Sequence, residues 1–126
     1  VRSLPPEEDI CIAACDSSFV YDAEKFEEAK KEADAVIWTF TKNKLLRETP
    51  EAWGWIRLEE DGETVEDVSV KMPVSEDPYH DHAIVATFYF KRAKEFLRAY
   101  DAMVKAEARV HGEFYVDTMP VFYKKF

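Results

Sequence analysis

Three apolar runs of strand length constrain this fold more than any other feature: Ile10 to Cys15, Ala35 to Phe40 and Ala83 to Phe90. They are largely continuous rather than alternating, so each reads as a strand covered on both faces, as in mainly parallel sheets. Between the first two lies a helical pattern that Asp22 can cap and that runs to about Glu32. It has Phe26, Ala29 and Ala33 on one face, and Glu24, Glu27, Glu28, Lys30 and Lys31 on the other. Strand, helix, strand predicts a βαβ unit with a right-handed crossover and a parallel strand pair. The expectation is one α/β domain over residues 1–126, with a mainly parallel, partly mixed sheet of about five or six strands and flanking helices.

Local signals fill in the rest. Asp61-Gly62, between the segments Trp53 to Glu59 and Thr64 to Lys71, is a hairpin signal. The stretch from Pro73 to His82 is rich in Ser, Glu, Asp, Pro and His and reads as a loop. Lys91 to Arg109 reads as a long helix with Phe96, Leu97, Tyr100, Met103 and Val104 inward. Asp117 can cap a short last helix with Pro120 in its first turn.

Composition excludes several function classes. With 26 acidic against 17 basic residues the net charge is −9, which argues against nucleic acid and anionic membranes as partners. No apolar run reaches the roughly 18 to 20 residues of a membrane span and no signal-peptide pattern opens the chain, so a cytoplasmic location is expected. Cys11 and Cys15, on one strand and about 13 Å apart, cannot pair and read as reduced core residues. His80-Asp81-His82 lacks nearby third and fourth ligands for a zinc site.

Two segments end on carboxylates at matching places. Near the N-terminus the first apolar run leads into Cys15-Asp16-Ser17, and near the C-terminus Gly112-Glu113-Phe114-Tyr115-Val116-Asp117 follows the long helix. The reading is that Asp16 and Asp117 meet and hold a divalent cation. Each has a plainer alternative, Asp16 as a turn cap and Asp117 as a helix N-cap worth on the order of 1 kcal/mol. Lys71 reads equally as a solvated strand end, and Trp53 and Trp55, two apart on one face, as core or interface residues.

With Trp53-Gly54-Trp55, Lys71-Met72-Pro73 and the Ala86 to Phe90 strand between them, these marks resemble the sugar-nucleotide pyrophosphorylases. The likeness is to the later two-thirds of that family's glycosyltransferase-A-like catalytic domain. It implies nucleotidyl transfer from a nucleoside triphosphate to a sugar 1-phosphate, in surface-polysaccharide precursor synthesis. It implies Asp16 and Asp117 as catalytic ligands of Mg²⁺, with Lys71 binding the sugar phosphate and Gly54 letting the backbone approach the sugar. The implied partner is a sugar phosphate or nucleotide sugar.

The family's N-terminal strand and Gly-rich phosphate loop have no counterpart in these residues, so catalysis by this chain alone is expected to be incomplete. An alternative is a non-catalytic binding or assembly module that keeps the fold. A glycosyltransferase ranks third, because Asp16-Ser17-Ser18 lacks the second acid of an Asp-x-Asp motif. An exposed sheet edge would favour homo-oligomers.

Overall fold

The computed structural model describes residues 1–124. In chain order the elements are β1 (Ile10–Ile12), α1 (Ala23–Glu32), β2 (Ala35–Phe40), α2 (Leu45–Glu48), β3 (Gly54–Leu58), β4 (Val65–Val70), β5 (His82–Phe90), α3 (Ala93–Lys105) and α4 (Met119–Lys124).

The sheet corrects the expected topology. All its strand pairs are antiparallel: β1 with β5, β2 with β5, β3 with β5 and β3 with β4. The mainly parallel sheet is therefore not formed. Phe90 pairs with both Ile10 and Ala35, and Phe88 with both Ile12 and Ile37, so β1 and β2 lie on opposite edges of β5. They run parallel to each other, as a βαβ unit requires, but β5 is threaded between them in the opposite sense. Apolar runs report burial on both faces and say nothing about the direction of the neighbouring strand.

β3 shares β1's edge of β5 and takes its first half, with Trp55 opposite Ala83 and Ile56 opposite His82. Between the two, β5 bulges: β2 advances from Ile37 to Thr39 while β5 passes from Phe88 to Ile84. Ala86 within the bulge has φ 59°, a left-handed conformation that disfavours a residue with a Cβ.

The main core lies on one face of the sheet, where Ile56, Ile84, Phe88 and Phe90 meet Phe96 and Met103 of α3 and Met119 and Phe122 of α4. The buried stripe of α3 is Ala93, Phe96, Ala99 and Met103, whereas Tyr100 and Val104, expected inside, are 39% and 36% exposed. The opposite face carries an aromatic group in which Phe26 of α1 lies 4.7 Å from Trp38 and 5.4 Å from Tyr89, ring centre to ring centre.

β1 is shorter than the apolar run that predicts it. Pairing stops at Ile12, and Cys11 and Cys15 are exposed free thiols rather than core residues. Local signals are realised closely elsewhere. Asp22 accepts the Lys25 N–H at 3.1 Å to cap α1, and Asp61 accepts the N–H groups of Glu63 and Thr64 in the β3–β4 turn.

Candidate functional site

The hairpin builds the site from its open end. Gly54 begins β3 opposite Val70, the last residue of β4. Lys71 follows with φ 65°, and its N–H donates to the Trp53 carbonyl at 2.9 Å, which adds a rung beyond the ladder. A lysine in the left-handed region is uncommon, and such residues recur where the surrounding structure holds a functional side chain.

The 3-10 turn Val116–Thr118 then brings Asp117 onto this end of the hairpin. The carboxylate fills the space over Gly54: a Cβ at position 54 would stand 2.1 Å from Asp117 Oδ2 and 3.1 Å from Ile84 Cδ1. A side chain at position 54 would therefore force the carboxylate aside, whatever else approaches the hairpin backbone.

Burial pushes the Asp117 carboxyl above the ordinary aspartate range, offset in part by its own backbone N–H and by the charge of Lys71. The Lys71 ammonium lies 5.5 Å from the centre of the Tyr115 ring. Tyr115 donates its hydroxyl proton to Glu113 Oε2 at 3.0 Å, and that bond, followed by desolvation, raises its phenol pKa. The structure thus groups Gly54, Lys71 and Asp117, with Tyr115 as a fourth member. Its place two residues before Asp117 was the only sequence signal for Tyr115.

Asp16 is exposed in the bend after β1 and makes no hydrogen bond or ion pair with this group among the described residues. Because β1 runs antiparallel to β5, the chain leaves Ile12 in the direction in which β5 counts from Phe88 down toward Ile84, the residue beside Gly54. The described residues contain no group of three or more His, Cys, Asp or Glu arranged as metal ligands. A Mg²⁺ site needs fewer, since that ion takes one or two carboxylates and completes its shell with phosphate oxygens and water. A partly buried carboxylate with a lysine beside it fits one such ligand and a phosphate contact.

The remaining sequence candidates are engaged elsewhere. Trp55 is fully buried and donates its indole N–H to the Pro50 carbonyl at 3.0 Å, while Trp53 packs edge-on against Phe40. His80 pairs with Asp77 at 2.5 Å, Asp81 accepts from Ser75, and His82 bonds Thr39 at 2.9 Å, so these three residues do not converge.

No family model matches the chain, and no curated protein matches it. Among solved structures, a nucleoside-diphosphate-sugar pyrophosphorylase from Vibrio cholerae RC9 superimposes with a TM-score of 0.70 at 18% identity. The two share a fold. The match covers 98% of this chain and 47% of that one, so the chain spans about half the length of the enzyme. No helix among the described residues is long and apolar enough to cross a membrane.

Proposed function

We propose that this chain binds a sugar phosphate together with a divalent cation, as the sugar-phosphate portion of a nucleotidyltransferase. The observation that carries the reading is the Asp117 carboxylate seated on Gly54 beside Lys71, in a chain whose fold is that of a nucleoside-diphosphate-sugar pyrophosphorylase. Asp117, with Asp16 from the bend that follows β1, would hold Mg²⁺, which when bound neutralises phosphate charge and orients the oxygens of an in-line displacement. Lys71 contributes a point charge to the sugar phosphate, and the Tyr115 face keeps its ammonium at the site.

The test is calorimetric titration of the full chain with glucose 1-phosphate and with UDP-glucose, with and without Mg²⁺. An Asp16→Ala, Asp117→Ala double variant serves as the comparison. Metal-dependent binding that the double variant loses is the expected result. Binding that ignores both metal and aspartates would refute the reading. No binding by either protein would favour a non-catalytic assembly module.

A further inference from the structure

β2 ends the sheet on one side. It pairs with β5 alone, and among the described residues no backbone hydrogen bond outside that ladder involves Ala35 to Phe40. The peptide groups directed away from β5 are thus left without a protein partner. The strand reads Ala-Val-Ile-Trp-Thr-Phe, with no charge, proline or glycine, and all six residues are only partly buried. An edge of this kind is one that monomeric sheets protect. The irregularity of the β2–β5 ladder lies on β5, so no bulge in β2 blunts it.

The other free edges carry such protection. β4 has exposed Glu66 and Asp67. β1 is three residues long, and antiparallel pairing of its apolar run with a copy of itself, centred between Ile12 and Ala13, would set Asp9 against the partner's Asp16. β2 has the reverse property. Antiparallel pairing of two copies centred on Trp38 puts Asp34 opposite the partner's Lys42, and the two-fold axis repeats that match at the other end. Between the charged ends Val36 faces the partner's Phe40 and the two Trp38 side chains face each other, apolar pairs of the kind that stabilise sheets. A shift of one residue in either direction loses the charge match.

Both charges can reach across. Lys42 is exposed, its backbone N–H is held by the Tyr79 carbonyl at 2.7 Å, and its ammonium pairs with no anion among the described residues. Asp34 is exposed and has only long ion pairs, 4.0 Å to Lys91 and 3.9 Å to Arg92.

We propose that two copies of this chain associate by antiparallel β2–β2 pairing centred on Trp38, held in register by reciprocal pairs of Asp34 with Lys42, so that their sheets join into one. The surface uses none of Asp16, Gly54, Lys71 and Asp117, so it is independent of the sugar-phosphate reading.

The test is sedimentation velocity of the full chain over a concentration series. A monomer–dimer equilibrium with a Kd of about 10–100 µM is expected, the weak association that a small interface supports. Asp34→Lys and Lys42→Asp each set like charges at both ends and should weaken the dimer about tenfold or more. The two combined restore opposite charges with exchanged signs and should return the affinity to within about threefold of the parent. Val36→Lys, at a side chain that belongs to neither core cluster, should give a folded monomer. Carbodiimide treatment of mixed ¹⁴N and ¹⁵N parent chains, which needs no variant to fold, should join Asp34 of one isotope to Lys42 of the other. A chain monomeric up to millimolar concentration, a dimer that survives Val36→Lys, a charge exchange that fails to restore what the single reversals lose, or no Asp34–Lys42 link between isotopes would each overturn the proposal.

Discussion

Replacing Gly54 by Ala tests the central contact of the site. Gly54 does not use the left-handed region that glycine alone enters freely, so the substitution imposes no backbone strain. The cost is steric: the new methyl would stand 2.1 Å from Asp117 Oδ2 and 3.1 Å from Asp117 Cγ. The carboxylate oxygen must therefore retreat by at least about 1.3 Å, the shortfall from ordinary contact. Overpacking of this kind destabilises by about 1–3 kcal/mol, less about 0.4–1 kcal/mol regained because alanine restricts the unfolded chain.

The net expectation for Gly54→Ala is a loss of about 0.5–2 kcal/mol in urea denaturation. The Asp117 pKa should also fall back toward the ordinary value of 3.8 as the group swings into water, which carboxyl-carbon NMR titration reads directly. A double-mutant cycle isolates the contact: in an Asp117→Ala background the methyl meets no carboxylate, and Gly54→Ala should become neutral or slightly stabilising. The same cost in both backgrounds, or an unmoved Asp117 titration, would refute the assignment of Gly54 to that carboxylate.

Three further outcomes follow from the charges and thiols. Asp117 is raised in the folded state, so folding is favoured while it is protonated and loses stability as pH rises from 3.8 through the folded value. Asp117→Asn should be more stable than the parent at pH 7 and lack that decline, measured as denaturation midpoints across pH. Glu95 behaves oppositely: the Tyr123 hydroxyl and then Arg92 lower its pKa, so its contribution is present above 4.5 and lost as pH falls through the folded value. Glu95→Gln should destabilise by about 1–2 kcal/mol at pH 7 and by little in strong acid, by the same assay. Maleimide should label both thiols of the native protein, Cys11 more slowly because burial and then Asp9 keep its thiol protonated. Protection of both until unfolding would show that the apolar run from Ile10 to Cys15 is core after all.

Much of the architecture was legible because it rests on neighbours in sequence. The Asp22 cap, the Asp61-Gly62 turn and the β2 and β5 runs are each set by hydrogen bonds or periodicity within a few residues. Gly54, Lys71 and Asp117 were named as candidates through the family resemblance that their short segments carry, since on local pattern alone Lys71 reads as a solvated strand end and Asp117 as a helix cap. What they touch could not be read this way. Nothing local to Trp53-Gly54-Trp55 says that the glycine makes room for a carboxylate 63 positions later, since that follows from where the 3-10 turn docks on the hairpin.

Strand direction was misread for a related reason. Backbone ladders form between any two strands whose faces are buried, and apolar side chains do not distinguish parallel from antiparallel neighbours. The sequence by itself determined which segments are strands, where helix α1 and the hairpin turn begin, and the acidic balance of −9. Only the tertiary structure decided that β5 threads between β1 and β2, that both cysteines face solvent, and that Asp117 sits beside Lys71 in a partly buried place that raises its pKa. Those outcomes depend on long-range packing, in which each element's position is set by the others it covers and not by its own residues.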